Sequence, residues 1–518
     1  MSSIGGELEM ERSYANNSND KRIAKNTLIM YGRMLLVTLI TLFTVRIALK
    51  ALGVEDYGIY NVVAGLVTFT SFIGASMQIA TLRFYAFAIG EKSLSKQNAI
   101  FNLSFLIYLI IVVLVIVLAE TVGLWFLKNE MIIPVNRFNA ALWLFQFAIF
   151  SFVVSMLSIP FSSMIIAHEH MGVYAVISLI ECVLKLSILF LIALFSYDKL
   201  FIYGLLMLVV TLIKEGIGIV YCRKKYEECF FQFTWDKELF KSIYSYSGWT
   251  LFGTLANVAY NQGNNILINV FFGPVANAAR AIAFQVSNTM TMFSSNFFTV
   301  ISPQIIKSYA EEDYSYMMRL FYLSSKFSYC LLLVIFLPLL LETQYILNLW
   351  LGNVSEYMLV FTRLTLIASF IMAMHSPITT VVQAIGAVKK YHVIVESVIL
   401  LSLPLSYLCF KLGYSVESTF YISIVVFIIA HGLRTLVLKN VIRFSLKEYL
   451  KKFILPVSLI TIIPSAITIY FYYLLPYGFI RFIIIIPVSM LLVSVCSFLF
   501  GFNRNEKQQI INMIKKRL

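Results

Sequence analysis

Charged side chains inside long apolar runs are the residues of this 518-residue sequence best placed to do chemistry. Ten cations lie within such runs: Arg33, Arg46, Arg83, Lys185, Lys214, Arg280, Arg319, Lys326, Arg363 and Arg434. Only four acids do so: Glu120, Glu181, Glu215 and Glu396. Ionisable groups in apolar surroundings are costly and are functional candidates by default. The imbalance favours an anionic ligand over a cationic one.

Six of these cations have no acidic partner that the sequence makes obvious. They are Arg33, Arg46, Arg83, Arg280, Lys326 and Arg363. Guanidinium groups are always charged and bind phosphate through paired donors, so we predict that this set binds a diphosphate at two depths. Arg33 and Arg46 are roughly 20 Å apart on one helix and cannot serve one small site together. The alternative for any one cation is that it reaches the interface, which we expect of Arg319 and Arg434.

The acids suggest pairing and ion coupling. Glu181 and Lys185 are four residues apart on one helix, which predicts an ion pair. Lys214 and Glu215 are adjacent, so we expect them to face different directions and to find partners on other helices. Glu181, Glu215 and Glu396 are candidates for taking up a coupling ion or proton.

Carboxamides are the second polar group in these runs. We predict that six of them line a wet cavity and contact a glycan: Asn257, Asn261, Asn264, Asn265, Gln285 and Asn288. Amides suit sugar hydroxyls because they both donate and accept hydrogen bonds. The alternative is that they hold helices together, and it accounts for about half of them.

Other reactive patterns have plainer explanations. His168-Glu169-His170 lies in a short turn, for which we predict a solvated loop. Glu55 and Asp56 in a Gly-flanked turn predict a helix N-terminal cap. The six cysteines form no CxxC pair, and no GxxxxGK[ST] phosphate loop is present. We therefore predict no catalytic residue, no metal and no cofactor.

The elements that carry these residues are long apolar helices. The chain is 60% hydrophobic and 13% charged, which excludes a water-soluble enzyme. A membrane span needs about 20 apolar residues. Fourteen such runs are found, at about 28–49, 57–89, 99–127, 138–167, 173–197, 200–222, 242–272, 275–306, 319–341, 357–385, 391–412, 417–439, 452–475 and 479–501. The predicted fold is an all-α polytopic membrane protein.

The distribution of Lys and Arg orients the spans. With the N-terminus in the cytoplasm, inside segments hold 24 of these cations and outside segments hold 6. The excess predicts that both termini are cytoplasmic. The first apolar run lacks a small-residue cleavage pattern, so we expect a retained span and no cleaved signal peptide.

An internal duplication predicts two lobes. Residues 160–167 match 377–384 at an offset of 217, and the Gly53 and Gly273 turns match at 220. Two pseudo-symmetric lobes of six helices and two extra C-terminal helices follow from this. The predicted divisions are a polar leader at 1–27, an N-lobe at 28–222, a basic linker at 223–241, a C-lobe at 242–440, two spans at 441–501, and a basic amphipathic tail at 502–518.

Three segments carry a family resemblance. Residues 26–33, 52–61 and 160–169 are similar to the polysaccharide flippases of the multidrug/oligosaccharidyl-lipid/polysaccharide exporter superfamily. The resemblance covers about residues 22–440. It implies a cationic central cavity lined by spans one, two, seven and eight. It also implies transport of an undecaprenyl-diphosphate-linked glycan between leaflets.

The protein is therefore predicted to be a flippase of the bacterial cytoplasmic (inner) membrane and not an enzyme. Its substrate would be an O-antigen, capsule or exopolysaccharide repeat unit, moved by alternating access. Expected partners are the bilayer, a polysaccharide polymerase and glycosyltransferases, with no nucleic acid. A lipid II flippase, a cation-coupled multidrug exporter and, more distantly, an intramembrane glycosyltransferase or polymerase remain as alternatives.

Overall fold

The computed structural model describes residues 19–41, 44, 47–48, 51–53, 56, 59–60, 63, 71–129, 133–192, 198–230, 232, 235–352, 354–442, 444–502 and 507. Arg46, Glu55, the leader before residue 19 and nearly all of the predicted tail lie outside them. Within these residues the regular structure is helical. The α-helices are α1 (Asn19–Thr41), α2 (Ser71–Gly90), α3 (Leu94–Leu118), α4 (Leu124–Asn129), α5 (Phe138–Leu157), α6 (Ile159–Ala167), α7 (Met171–Ile192), α8 (Lys199–Lys225), α9 (Lys237–Ala310), α10 (Tyr314–Leu341), α11 (Thr343–Leu351), α12 (Glu356–Ala373), α13 (Ser376–Ile385), α14 (Val388–Leu400), α15 (Ser402–Lys411), α16 (Ser418–Val441), α17 (Leu446–Tyr449), α18 (Leu455–Leu474) and α19 (Phe479–Cys496). Short π-helices cover Ala119–Gly123, Leu450–Ile454 and Ser497–Gly501, and 3-10 turns cover Val135–Arg137 and Glu227–Cys229.

Polar caps set the starts of several long helices. The Asp198 carboxylate accepts hydrogen bonds from the backbone N–H groups of Leu200 and Phe201 at the start of α8. Asp236 caps α9 in the same way, and Ser93 caps α3. These side chains satisfy N–H groups that have no partner inside the helix. The apolar runs that follow each cap continue the helix.

Twelve helical segments of the described chain are long and apolar enough to cross a membrane, which makes this a multi-pass membrane protein. Each overlaps one of the fourteen predicted runs, although the first begins at Asn19 and not at about residue 28. The other two predicted runs, 242–272 and 275–306, form α9, which does not meet the same criterion. The count of fourteen is thus not confirmed. The physical reason is the many amide, Ser and Thr side chains of α9, which lower its hydropathy.

Helix α9 is interrupted at Gly273. Its backbone there has φ 79° and ψ −175°, while the residues on both sides are helical. An L side chain rarely adopts this φ, whereas glycine does so at little cost. The chain therefore turns at Gly273, which is one of the two matched turns in the predicted duplication.

The chain divides into two compact units. Unit 1 comprises Met1–Thr254 and Ser302–Asp313, and unit 2 comprises Leu255–Ile301 and Tyr314–Leu518. The predicted lobe boundaries remain a prediction.

In unit 1, α5 packs closely on α8 and α7 packs on the same helix. Gly204 permits the first contact, since a Cβ there would lie 2.7 Å from Leu144 Cδ1. Leu127, Phe145 and Leu200 are fully buried in the cluster beside it. Close packing of this kind holds helices together where lipid gives no hydrophobic drive.

An ion-pair cluster joins three segments of unit 1. The Arg137 guanidinium binds the Asp56 carboxylate with Nε and Nη2, and its Nη1 lies 2.7 Å from Asp198 Oδ2. Asp56 is buried. The prediction that Glu55 and Asp56 cap a helix stays a prediction, because Glu55 and the residues directly after Asp56 lie outside those that the structure describes.

In unit 2, the two arms of α9 pack around Gly273 against aromatic side chains. Ile268 and Ala279 are fully buried with Phe361 and Phe420. Helix α16 contacts α12, α14 and α15, and α18 and α19 pack on each other and on α10.

Three pairs of left-handed turns repeat along the chain. Positive φ values occur at Gly53 and Gly273, at Lys92 and Glu312, and at Glu169 and Gly386. The offsets are 220, 220 and 217 residues, which are those of the predicted duplication. Helices α6 and α13 also begin alike, each with a proline in its first turn. The backbone supports the duplication.

A buried ion pair anchors α19 in unit 2. Arg481 Nε lies 2.9 Å from Glu342 Oε1, and the Glu342 side chain is completely buried. The Arg481 guanidinium also lies 4.0 Å from the centre of the Tyr472 ring. Removing one member of such a pair leaves an uncompensated charge.

We expect Glu342→Gln to lower the stability of the protein by about 3 kcal/mol, because Arg481 then stays buried without its counter-charge. Thermal melting of the purified protein in detergent measures this. The matched control is Glu91→Gln, which removes the carboxylate of the exposed Glu91–Lys96 pair and should change stability by less than about 1 kcal/mol. Equal losses in both variants would contradict the interpretation.

Candidate functional site

Unit 2 contains a cavity of about 580 Å³ between α9, α12 and α16. Five of the six amides predicted to contact a glycan line it: Asn257, Asn261, Asn264, Asn265 and Asn288. Gln285 does not; it is exposed on α9. Hydroxyl groups of Thr365, Ser369, Ser376 and Ser423 complete much of the wall. Of the described residues that line it, none is Asp or Glu, so the cavity has polar walls with a single permanent charge.

That charge is Arg280. Its Nη1 donates to Asn265 Oδ1 at 3.2 Å, and its Nη2 donates to the backbone carbonyl of Asn261 at 3.0 Å. The guanidinium plane lies over the Phe284 ring, 4.2 Å from its centre. These contacts orient the cation without neutralising it, since none comes from a carboxylate. The site can therefore attract an anion.

The amides of this cavity serve two purposes. Asn264 donates to the Tyr260 carbonyl and accepts from the Thr419 hydroxyl at 2.8 Å, which links α9 to α16. Asn261 donates to the Asn257 carbonyl and side chain within one helix. Part of the set therefore holds helices in place, as the alternative interpretation predicted.

Unit 1 contains a second cavity, of about 380 Å³. Arg33, Glu181, Lys214 and Glu215 all line it, together with Tyr174, whose ring centre lies 4.9 Å from the Arg33 guanidinium. Its lining thus has two cations and two acids. This cavity is nearly balanced in charge, unlike the one in unit 2.

Lys214 connects the two acids. Its Nζ lies 2.9 Å from Glu215 Oε1 and 3.8 Å from Glu181 Oε2, and Glu181 also accepts a hydrogen bond from Lys185 at 2.7 Å. The Glu181–Lys185 prediction is confirmed. The expectation that Lys214 and Glu215 face apart is wrong, because the long lysine side chain reaches back to its neighbour.

The other predicted cations lie away from both cavity linings. Arg83 on α2 stacks on Phe84, with 4.8 Å between its guanidinium and the ring centre, and lies 5.4 Å from that of Tyr246. Lys326 is buried on α10, and Arg363 is half-buried on α12. Arg46 lies outside the described residues. The structure thus brings one predicted cation into each cavity.

Helices α14 and α16 bury two further ionisable groups of unit 2. Glu396 lies 3.6 Å from His392 Nδ1 one turn away on α14. Arg434 is only 1% exposed, and its Nε donates to the Tyr391 hydroxyl at 3.0 Å. The expectation that Arg434 reaches the membrane interface is therefore wrong. Neighbouring helices enclose the whole side chain.

Sequence reasoning missed a carboxylate cluster in unit 1. Glu169 lies in the turn after α6, and its side chain is 1% exposed. Arg22 Nε lies 2.9 Å from one carboxylate oxygen and Lys307 Nζ 2.8 Å from the other, while Asn26 donates to the Glu169 carbonyl. The prediction of a solvated loop is therefore wrong, because cations from two distant segments cover this turn. The spacing of residues along the chain carries no signal for partners so far apart.

The histidines beside Glu169 are also bound. His168 Nε2 lies 2.9 Å from Glu228 Oε1, and His170 Nδ1 lies 2.5 Å from the Tyr226 hydroxyl. Burial acts to raise the pKa of Glu228, but the hydrogen bond with His168, a backbone hydrogen bond and the charge of His168 together outweigh it, so the pKa is lowered. Burial lowers the pKa of His170, and the neighbouring His168 and Lys225 lower it further. Among the described residues, no group of three or more His, Cys, Asp or Glu side chains could hold a metal ion.

Comparison with known protein families gives one match. The family model described as polysaccharide biosynthesis protein matches residues 23–309, more than half of the chain. No curated protein matches the sequence significantly.

Solved structures share the fold. A mutant of a MATE protein superposes with a TM-score of 0.71 at 12% identity, covering 82% of this chain and 97% of that one. The MATE transporter ClbM in complex with Rb⁺ gives 0.68 at 15% identity, with 82% and 96% covered. A mutant of the Vibrio cholerae MATE transporter VcmN gives 0.65 at 18% identity, with 84% and 99% covered. At these identities the likeness shows the MATE-like transporter fold alone.

We expect the stability of unit 1 to fall as the pH drops below about 6.5. Because the pKa of His170 is depressed from 6.5 in the folded protein, the unfolded chain takes up this proton first. The stability that neutral His170 contributes is lost as the pH falls towards its folded-state pKa. Melting temperatures between pH 7.5 and pH 5 should decline less steeply in His170→Gln than in the wild type. Lys224→Gln, an exposed change nearby, should keep the wild-type slope; identical slopes in all three proteins would refute the assignment.

Proposed function

Because the chain belongs to the polysaccharide biosynthesis protein family, we propose that it is a flippase for undecaprenyl-diphosphate-linked oligosaccharide. It moves an O-antigen, capsule or exopolysaccharide repeat unit from the inner to the outer leaflet of the bacterial cytoplasmic membrane, by alternating access. Family and fold are those of transporters.

The observation that carries the proposal is the lining of the unit 2 cavity. Asn261, Asn265 and Asn288 offer carboxamides for sugar hydroxyls, and Arg280 offers the cation for a phosphate. The absence of carboxylates among its described lining residues disfavours an organic cation. Sugar recognition by amides and phosphate recognition by guanidinium then occur side by side.

Arg33 and Arg280 are the strongest candidates for diphosphate binding, since each lines the cavity of its own unit. Arg46, Arg83, Lys326 and Arg363 stay in the proposed set as residues that act elsewhere along the path. The prenyl chain remains in the lipid, because an apolar hydrocarbon chain is already in a favourable medium there.

A cation-coupled multidrug exporter is the main alternative, because the MATE structures share this fold. Such an exporter would need acids to bind a cationic drug. The acids that line the unit 1 cavity, Glu181 and Glu215, are already paired with lysines. A lipid II flippase would carry a different headgroup on the same kind of prenyl diphosphate, and an intramembrane glycosyltransferase or polymerase lacks support from the family or the fold.

The unit 1 cavity is proposed as the energy-coupling site. Lys214 holds both Glu181 and Glu215, so uptake of a proton or cation by either acid would release the lysine from it. Glu396 beside His392 is a second candidate in unit 2. A change of partner inside a buried cluster is a local switch that can favour one conformation over another.

We expect Arg280→Ala to reduce surface glycan at least tenfold in cells that lack the chromosomal gene, because the described lining of the unit 2 cavity then has no permanent charge. Arg280→Lys should retain part of the activity, since it keeps the charge and loses the paired donors. Glycan is measured by gel staining or antibody, with membrane protein levels checked by immunoblot.

The control is Lys439→Ala, which removes an exposed cation at the end of α16. Wild-type glycan in Arg280→Ala at normal protein levels would overturn the binding role. Wild-type glycan in cells that lack the gene, together with loss of efflux of a cationic dye, would instead favour the multidrug exporter.

We expect Glu215→Gln to abolish stimulation of flipping by an imposed proton or sodium gradient while flipping without a gradient persists. The reason is that the amide cannot take up a cation or release Lys214 by protonation. Proteoliposomes with a fluorescent lipid-linked oligosaccharide measure both rates. Glu120→Gln, an exposed carboxylate in the same unit that does not line the cavity, should keep the stimulation. Full stimulation in the Glu215 variant would exclude this acid from coupling.

A further inference from the structure

A third cavity, which like the first lies in unit 2, has no part in the proposed transport path. It is a cleft of about 340 Å³ between the start of α10 and the segment around α17, and we name it the α10–α17 cleft. Its lining residues are Ser315, Met318, Arg319, Tyr322, Phe444, Ser445, Glu448 and Lys452. Two cations, two serine hydroxyls and one carboxylate thus surround an aromatic floor.

The floor of the cleft is made of closely packed aromatic rings. Phe444 and Tyr322 are buried, and both rings contact Phe321, with 5.9 Å and 5.2 Å between centres. Tyr449 packs on Phe444 at 5.5 Å and on Phe453 at 5.1 Å. Aromatic packing of this kind fixes the two walls of the cleft relative to each other.

The rim of the cleft is cationic and open. The Lys452 ammonium lies 5.4 Å from the Tyr322 ring centre and 3.1 Å from Glu448 Oε2. Both members of that ion pair are about half exposed, so solvent weakens it and an incoming anion can compete for the lysine. Arg319 lines the cleft and lies 5.9 Å from the Tyr316 ring centre.

The cleft lies at a membrane boundary. Two candidate spans begin there, Tyr314–Leu341 and Leu446–Leu474. Leu455, just beyond the cleft on the second span and one turn after Lys452, is 61% exposed. A ligand in the cleft would therefore have phosphate-binding cations on one side and an exposed apolar side chain on the other. A phospholipid has this combination of groups.

We propose that the α10–α17 cleft binds the headgroup of an anionic phospholipid. Arg319 and Lys452 bind the phosphate, the hydroxyls of Ser315 and Ser445 bind the remaining headgroup oxygens, and the acyl chains lie along Leu455. Basic pockets between span ends are suited to such headgroups. Glu448 opposes binding because it holds Lys452.

The test titrates the purified full-length protein in neutral detergent with phosphatidylglycerol and, in parallel, with phosphatidylcholine, while following the melting temperature. Phosphatidylglycerol should raise the melting temperature of the wild type more than phosphatidylcholine does. Arg319→Gln and Lys452→Gln should each weaken the apparent affinity about fivefold, since each cation near the surface contributes on the order of 1 kcal/mol. Glu448→Gln should strengthen it, because Lys452 is then free of its carboxylate.

Lys451→Gln is the matched control, since Lys451 is the exposed neighbour of Lys452 and does not line the cleft. It should leave the affinity at the wild-type value. Equal weakening by Lys451→Gln and Lys452→Gln would mean attraction by surface charge alone and would overturn the site. So would an unchanged affinity in the Arg319→Gln/Lys452→Gln double variant. An equal shift with glycerol 1-phosphate or inorganic phosphate would assign the cleft to a soluble phosphate and overturn the lipid.

Discussion

A charged side chain held away from water must be compensated, and each buried ionisable group of this protein depends on how that is done. In the unit 1 cavity the compensation is by opposite charge, because Lys214 lies between Glu181 and Glu215. In the unit 2 cavity it is by dipoles, because Arg280 is held by an amide oxygen and a backbone carbonyl. Ion pairs cancel the charge, whereas dipoles orient it and leave it in place.

This difference suits two tasks. A cluster whose charges cancel responds to the uptake of a single proton, because its members must then find new partners. A cation held by dipoles keeps its attraction for anions, and the amides beside it remain able to bind hydroxyl groups. Asn264, which bonds to both Tyr260 and Thr419, fixes the α9 backbone from which Arg280 and Asn265 project. The structural amides and the candidate ligand-binding amides are thus parts of one wall.

Much of the fold could be predicted from the sequence. Continuous apolar runs indicate the membrane spans, and matched turns such as those at Gly53 and Gly273 indicate the duplication. The amide-lined wall was also predictable, since amides at membrane depth need partners. Partners separated by long stretches of chain were not, as the burial of Arg434 and the pairing of Glu169 show. Nor was the reach of Lys214, because side-chain length overrides the direction in which the helix points it. The polar composition of α9 explains why counting spans by hydropathy gives different totals.

The Glu169 carboxylate has a consequence for how the protein is made. Its partner Lys307 lies 138 residues later in the chain. At ordinary rates of synthesis that separation corresponds to on the order of ten seconds during which the carboxylate has Arg22 but lacks the lysine. Unit 1 includes Ser302–Asp313, so it cannot reach its final structure until most of the intervening helices have been inserted. A turn near the middle of the first half therefore completes its bonds only after the second half is well under way, which ties the order of insertion to the order of folding.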